Sequence, residues 1–353
     1  MNDLTKWDVH GSVETLGTEW AEWDQAKNDW QPFKRRTSAR FRSDGQVIGT
    51  EAINPDGSVA RTARLYNKAG RIRETSFQMD DGPVSKVLYF YDGDGRIVRI
   101  VNIDQKGVSG ESEIYRYDSS GRKTKIQFLP KVEGTVAYSL DIEGAASLFG
   151  TSGAATVTTA FDDHDQASEV TVHDTLHRLQ RRMILTRDSA GRTVKQEVLG
   201  GDTLLLPGLE NSLKDAPPEA REKFRAALAT AFGPKNVLLT ITYAYDEKGR
   251  KVERTNRMGT LSEDRTTFHF DDHDNPIEEN SEHTSRDVGV DEQGNPRHSN
   301  EHSDKQHTRF VYKYDAEGNW TEREVWTNFE PGGDLKRSSL ERRQITYYPP
   351  ELH

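Results

Sequence analysis

Two acidic clusters around a histidine are the first candidates for chemistry in this sequence. Both read Asp-Asp-His-Asp, at Asp162–Asp165 and Asp271–Asp274. Three carboxylates beside an imidazole supply ligand types that bind divalent cations. Their spacing, however, matches no known metal-binding loop, and each cluster coincides with the turn of a repeated motif described below. We therefore expect solvated hairpin turns here, with no metal site and no cofactor.

Three closely spaced histidines form a second candidate group. They are His298, His302 and His307, in the stretch RHSNEHSDKQH. Imidazole is a common zinc ligand, so such a group can indicate a metal site. The surrounding residues are polar and favour a loop between strands. We expect these side chains to be exposed and not to bind a metal.

Catalysis by a pair of carboxylates is a third possibility. The chain contains 58 Asp and Glu residues, so some pairs will fall at the ~5 to 10 Å separation of a glycosidase whatever the function is. Nothing in the sequence distinguishes one pair from the others. The sequence contains no nucleophile elbow, phosphate-binding loop, HExxH motif or Rossmann fingerprint. Enzymatic activity therefore stays open, without a candidate catalytic residue, and a non-enzymatic role is favoured.

Aromatic side chains offer a binding chemistry instead. Trp320 and Trp326 follow the motif YKYDAEGN and have the even spacing of residues on one strand face. Exposed aromatic rings can stack on sugar rings while neighbouring polar groups bind the hydroxyls. We therefore predict that these two tryptophans belong to an exposed ligand-binding platform. The tyrosines of the repeated motif are expected to be core residues, because every motif carries one.

The composition limits the kinds of partner. The 353 residues are 33% hydrophobic and 30% charged, with a net charge of −10 at pH 7, so the core should be thin and a general nucleic-acid binder is disfavoured. There are no cysteines. No run reaches the ~20 apolar residues of a membrane-spanning helix, so we expect no membrane insertion. The first residues also lack the apolar segment of a secretory signal peptide.

The elements that must position these residues are repeated hairpins. Related stretches read YFYDGDGRIVR, YRYDSSGRKTK, YAYDEKGRKVE and YKYDAEGNWTE, and 25 residues separate Tyr66 from Tyr91. In each copy aromatics alternate along a strand, an aspartate opens a turn by accepting backbone N–H groups, and a glycine supplies the positive φ that closes it. The predicted turn residues are Asp92, Gly95, Asp118, Gly121, Asp188, Gly191, Asp246, Gly249, Asp315 and Gly318.

The repeats predict an all-β fold in which antiparallel hairpins form a curved, spiralling or barrel-like sheet with one inserted α-helix. Prolines at its start and a Gly-Pro pair at its end place that helix at residues 217–232. The predicted segments are an N-terminal β cap (1–38), repeats (39–133), a Gly/Ala/Ser-rich insertion (134–158), repeats (159–199), a helical insertion (200–236), and repeats with a C-terminal strand (237–353).

The motif resembles the YD repeats, also called RHS repeats, of bacterial Rhs proteins, wall-associated polymorphic toxins and animal teneurins. The resemblance covers most of residues 39–326. It implies long curved β-sheets, which in large members spiral into a shell around a toxin or another domain. This chain is short for such a shell and shows no proline-rich self-cleavage segment followed by a toxin domain, so it is more similar to small stand-alone members.

Three functions follow as expectations. The leading one is a non-enzymatic repeat scaffold that binds a glycan or protein partner, with an extracytoplasmic or secreted location implied by the resemblance. The second is an enzyme that acts on polysaccharide through carboxylates on a concave sheet face. The third, suggested only by the resemblance, is an accessory or encapsulating component of a toxin system.

Overall fold

Antiparallel β-strands make up almost all of the described structure. The computed structural model describes residues 3–128, 154–201, 218–219, 222, 236–259, 262–290, 296–328 and 333–349. One short 3₁₀ helix, Asp3–Trp7, precedes the strands. No helix among these described residues is long and apolar enough to cross a membrane. The predicted all-β class is confirmed.

The strands follow one another as consecutive hairpins. Their bounds are β1 (Val13–Asp24), β2 (Asp29–Trp30), β3 (Lys34–Phe41), β4 (Val47–Ile53), β5 (Val59–Tyr66), β6 (Ile72–Met79), β7 (Ser85–Tyr91), β8 (Ile97–Ile103), β9 (Ser109–Tyr117), β10 (Lys123–Phe128), β11 (Ala154–Phe161), β12 (Ala167–Asp174), β13 (Leu179–Arg187), β14 (Thr193–Gly200), β15 (Val237–Tyr245), β16 (Lys251–Met258), β17 (Ser262–Phe270), β18 (Pro276–Val290), β19 (Pro296–Tyr314), β20 (Trp320–Thr327) and β21 (Lys336–Tyr347).

The chain divides into two compact units. Unit 1 comprises Met1–Glu111, Phe268–Asn280 and Gln306–His353, and unit 2 comprises Ser112–Thr267 and Ser281–Lys305. In unit 1 the hydrogen-bonded order is β19-β20-β21-β1-β3-β4-β5-β6-β7-β8. In unit 2 the strands pair in sequence order from β9 to β17.

The predicted N-terminal cap takes a different place in unit 1. Strands β1 and β2 pair around a turn, with Trp23 opposite Trp30, as the sequence indicates. However, β1 does not shield a sheet edge from outside. It is bonded to β3 on one side and to β21 on the other, so it is an interior strand of the sheet.

Both predicted insertions connect strands that remain paired. In unit 2, β10 pairs with β11 and β14 pairs with β15, so the helical insertion does not divide this sheet. The Gly/Ala/Ser-rich insertion ends earlier than predicted, because β11 begins at Ala154. Only Pro218, Glu219 and Glu222 of the predicted helix at 217–232 are described, and these three are helical. The rest of that range lies outside the described residues, and the helix and the spiralling sheet stay predictions.

The turn at Asp118 shows how the repeated loop is built. Its Oδ1 accepts the backbone N–H groups of Ser120 at 3.0 Å and Arg122 at 2.9 Å. Its Oδ2 accepts the Arg122 Nε at 2.6 Å. The backbone N–H of Gly121 also bonds to the Asp118 carbonyl at 3.0 Å. One aspartate thus organises the whole loop, and the same bonds recur in the loops that begin at Asp92 and Asp188.

The closing residue of each loop has left-handed backbone geometry. The glycine φ values are 83° at Gly95, 81° at Gly121, 78° at Gly191, 82° at Gly249 and 81° at Gly318. In the acidic clusters, Asp165 and Asp274 take this position with φ of 61° and 64°. Aspartate tolerates this region better than most residues. His177, with φ of 60°, closes an additional loop that the sequence motif does not reveal.

Aromatic residues before these loops tie one hairpin to the preceding one. Each of three tyrosines ends a strand, and its hydroxyl donates to the carbonyl of the first residue of the preceding strand. Arg187 takes the tyrosine position in one copy and donates from Nη2 to the Ala167 carbonyl at 3.0 Å. The tyrosine pairs are Tyr66–Val47 at 2.5 Å, Tyr91–Ile72 at 2.6 Å and Tyr245–Thr193 at 2.8 Å.

Each unit has its own thin apolar core. In unit 1 the N-terminal segment and the first strands contribute Leu4, Val9, Val13, Leu16, Ala39, Phe41 and Val47. In unit 2 the core consists of Ile126, Val157, Val170, Val172, Met183, Leu185, Val198, Leu239, Ile241 and Tyr243. Full burial of one such aliphatic side chain contributes roughly 1.5–3 kcal/mol.

The first prediction concerns the positive φ at the loop glycine. Replacing Gly121 with Val should lower the free energy of unfolding by about 1–3 kcal/mol, because a β-branched residue is strained at this φ. Gly93→Val is the matched control, since Gly93 lies in an equivalent loop with open space around its Cβ position and no positive φ. Urea denaturation followed by circular dichroism measures both. Equal losses in the two variants would contradict the role given to Gly121.

The second prediction concerns acid. The backbone N–H of Arg122, with its guanidinium, lowers the pKa of Asp118 below the ordinary 3.8. Such a group stabilises the fold above its unfolded pKa, and this contribution is lost as pH falls through the lower folded pKa. Stability should therefore decline below about pH 4, and Asp118→Asn should reduce the size of this decline. Urea midpoints measured between pH 6 and pH 2 test it; an unchanged pH profile in the variant would refute it.

Candidate ligand-binding surface

The first acidic cluster forms a hairpin turn in unit 2. Asp162 Oδ1 accepts the backbone N–H groups of His164 and Gln166, both at 2.9 Å. The bond from the Gln166 N–H is the main reason that the pKa of Asp162 is lowered. Arg122 forms an ion pair with Asp165. These carboxylates are therefore occupied by backbone donors and an arginine.

The second cluster has the same geometry in unit 1. Asp271 Oδ1 accepts the N–H groups of His273 and Asn275 at 2.9 Å, and its Oδ2 accepts the hydroxyl of Tyr314. The His273 ring stacks on Tyr314, with 4.1 Å between ring centroids. Within the described part of the chain, no group of three or more His, Cys, Asp or Glu residues could hold a metal ion.

The predicted histidine group does not lie in a loop. His302 and His307 lie within strand β19, where His302 is exposed and His307 is half-buried. The His307 backbone N–H donates to Asn328 Oδ1 at 2.6 Å. The side chain of His298 lies outside the described residues.

The expectation of an exposed ring at Trp320 is corrected by its burial. Only 4% of Trp320 is exposed. Its Nε1 donates to Asp8 Oδ2 at 2.9 Å, and the Arg343 guanidinium lies 3.4 Å from the ring centroid. Burial lowers the pKa of Arg343 to about 10. Trp320 therefore belongs to a buried contact between β20, β21 and the N-terminal segment.

Trp326 instead joins two tryptophans from the start of the chain. Trp23 and Trp30 pack edge to face, with ring centroids 4.9 Å apart. The Arg337 guanidinium lies 4.8 Å from the Trp23 ring centroid and 5.1 Å from that of Trp326. All three indoles are half-buried. We call Trp23, Trp30, Trp326 and Arg337 the tryptophan cluster.

Strand register in unit 1 brings the tryptophan cluster together. Trp23 faces Trp30 across the β1–β2 pair, and Trp326 faces Arg337 across the β20–β21 pair. Because β1 also pairs with β21, the Trp23–Trp30 pair and the Trp326–Arg337 pair meet at one end of these strands. An ion pair of 2.7 Å joins Arg337 Nε to Glu324 Oε1. The result is a half-buried aromatic cluster with an ion pair beside it.

The described carboxylates do not show the raised pKa that acid–base catalysis would need. A catalytic acid at neutral pH needs a raised pKa, as burial or a neighbouring carboxylate would give. Among the described Asp and Glu residues, every resolved pKa shift is downward, caused chiefly by hydrogen bonds in the turns and by ion pairs. The described structure thus identifies no catalytic pair.

Comparisons with known proteins leave the function open. No family model and no curated protein matches the sequence. A porin-like protein from Bacteroides uniformis is similar with a TM-score of 0.32 and 10% identity over 96% of this chain and 99% of its own. A porin-like protein from Bacteroides vulgatus is similar with a TM-score of 0.24 and 9% identity over 94% of this chain and 98% of its own. A putative outer membrane lipoprotein-sorting protein domain from Vibrio parahaemolyticus is similar with a TM-score of 0.15 and 9% identity over 60% of this chain and 92% of its own.

The third prediction separates the two C-terminal tryptophans. Trp320→Ala should lower the free energy of unfolding by about 3–5 kcal/mol, because it leaves a cavity beside a buried guanidinium. Trp326→Ala should lower the free energy of unfolding by much less, because its ring is only half-buried. Urea denaturation measures both losses. A larger loss for Trp326→Ala than for Trp320→Ala would contradict this placement of the two rings.

Proposed function

We propose that this protein is a non-enzymatic scaffold of YD-type hairpin repeats that binds a glycan through the tryptophan cluster. The observation that carries the proposal is that Arg337 lies over the rings of both Trp23 and Trp326, with Trp30 packed against Trp23. The proposed location is extracytoplasmic, where glycans of the cell envelope or of other cells are available.

The chemistry of the cluster suits a sugar ring. Indole faces stack on the apolar C–H faces of pyranoses, while charged side chains bind the hydroxyls at the ring edge. Arg337 and Glu324 supply donors and acceptors beside the indoles. Together they offer both parts of that recognition within one patch.

The scaffold supports binding by holding the patch in place. Its four residues lie on paired strands, and the guanidinium between two indoles restrains their rings. A surface that is already ordered loses less conformational entropy when it binds. This favours recognition by shape and polar contact, without a catalytic step.

A protein partner is the second candidate. Tryptophan and arginine are the residue types most enriched at the energetic centres of protein interfaces. The same cluster therefore serves this alternative, and the choice between the two partners is an outcome of the test.

The fourth prediction concerns binding itself. The wild-type protein should bind members of a glycan array, and Trp326→Ala and Trp30→Ala should each weaken that binding about 30-fold, the effect of a truncated hot-spot residue worth ~2 kcal/mol. Phe77→Ala is the control, because Phe77 is an aromatic of unit 1 that is 43% exposed and lies outside the cluster. Dissociation constants come from biolayer interferometry.

Three outcomes decide the proposal. Loss of binding in both tryptophan variants but not in the control supports it. If no glycan on the array binds, but a pull-down captures a protein with the wild type and not with Trp326→Ala, the partner of the cluster is a protein and not a glycan. Empty results in both screens, or full binding by both tryptophan variants, refute the proposed surface.

A further inference from the structure

A recess in unit 1 is separate from the tryptophan cluster. It has a volume of about 620 Å³ and is lined by residues of β21, β1, β3, β4, β5 and β6. Sites for small molecules commonly measure about 300–1,000 Å³. The recess is therefore large enough for a ligand the size of one or two sugar units.

Strand register explains why the sheet is hollowed here. One row of directly paired residues runs through Thr346, Thr15, Arg40, Gly49, Ala63 and Ser76, and the next row on the same face runs through Gln344, Gly17, Ser38, Glu51, Arg61 and Gln78. Two of these positions are Gly17 and Gly49, which have no side chain, so the surface of the sheet is recessed there. A Cβ on Gly49 would lie 3.2 Å from the Thr62 carbonyl oxygen, which leaves little room for a side chain.

The recess carries one cation that is not neutralised. Arg61 Nε lies 3.2 Å from Glu51 Oε2 and forms an ion pair. Arg40 is exposed, and no hydrogen bond or ion pair joins its guanidinium to another residue in the part of the chain that the structure describes. Its Nη2 lies 3.6 Å from the Cβ position of Gly49, so the guanidinium extends along the floor. The three charges sum to one positive charge.

Hydroxyls and amides make up most of the remaining polar lining. Thr15 and Thr346 share a hydroxyl hydrogen bond of 2.7 Å. Such groups donate and accept equally well, which matches the hydroxyls of a sugar. Ser38, Ser76, Gln78 and Gln344 add further donors and acceptors.

We propose that this recess binds a sugar that carries one anionic group. The planar fork of Arg40 would bind the carboxylate or phosphate through two N–H donors. The Glu51–Arg61 pair and the threonine and serine hydroxyls would bind the sugar hydroxyls. The inference does not rest on the proposed function, because none of these residues belongs to the tryptophan cluster.

Isothermal titration calorimetry of the full chain tests the ligand class. The probes are glucuronate, glucose 6-phosphate, glucose and inorganic phosphate. At least one anionic sugar should bind, and both glucose and inorganic phosphate should bind at least about 10-fold more weakly. Comparison of glucuronate with glucose 6-phosphate identifies whether a carboxylate or a phosphate is preferred. Absence of binding by both anionic sugars, or equal binding of glucose or inorganic phosphate, overturns the inference.

Two variants test the location of the site. Arg40→Gln should weaken binding of the preferred anionic sugar by 10-fold or more, while Arg73→Gln, an exposed arginine of unit 1 outside the lining, should leave it unchanged. Gly17→Leu should abolish binding by filling the recess, since a Cβ at Gly17 meets only ordinary contacts at 3.9 and 4.0 Å. Its circular dichroism spectrum checks the fold. If Arg40→Gln binds like the wild-type protein, the assignment is wrong even where Gly17→Leu fails to fold.

Discussion

The carboxylate of the loop aspartate is the constraint on which both units depend. A tight hairpin leaves backbone N–H groups without strand partners, and an unpaired N–H is costly wherever water is excluded. In the loop of Asp118, one oxygen accepts two of these groups and the other binds the arginine that ends the loop. Because this solution is local, it can be repeated wherever the chain must reverse. A polar sequence with a thin core can therefore still specify many hairpins.

The second carboxylate oxygen also couples neighbouring hairpins. Loops that end in arginine use it within the loop, as at Asp118. In the described loops that end in asparagine, at Asn275 and Asn319, a tyrosine from a following strand donates to it instead. Tyr314 binds Asp271 and Tyr347 binds Asp315, while the asparagine donates to the same tyrosine hydroxyl at 3.0 and 2.8 Å. Burial, followed by the bond to Asp315, raises the pKa of Tyr347 to about 12, so this hydroxyl stays a donor at neutral pH.

Features set by local chemistry could be predicted from the sequence, and features set by distant pairing could not. Asp118 and Gly121 identify a turn because their own side-chain and backbone preferences create it. The turn closed by His177 escapes the motif because it lacks both the glycine and the aromatic residue before the aspartate. Trp320 has the spacing of an exposed residue, but Asp8 and Arg343 cover it from parts of the chain that no local pattern connects. The tryptophan cluster was likewise beyond prediction, since it requires β1 to pair with β21.

Hydrogen exchange at the loop amides tests the central role of the aspartate most directly. Exchange of the Arg122 backbone N–H should be slow in the wild-type protein, because Asp118 Oδ1 binds it at 2.9 Å. In Asp118→Ala the same amide should exchange much faster, while the Arg192 amide, held by Asp188 in a separate loop, should not change. Two-dimensional NMR at neutral pH resolves both amides. Equal exchange of the Arg122 amide in the two proteins would contradict the claim that the carboxylate holds the loop.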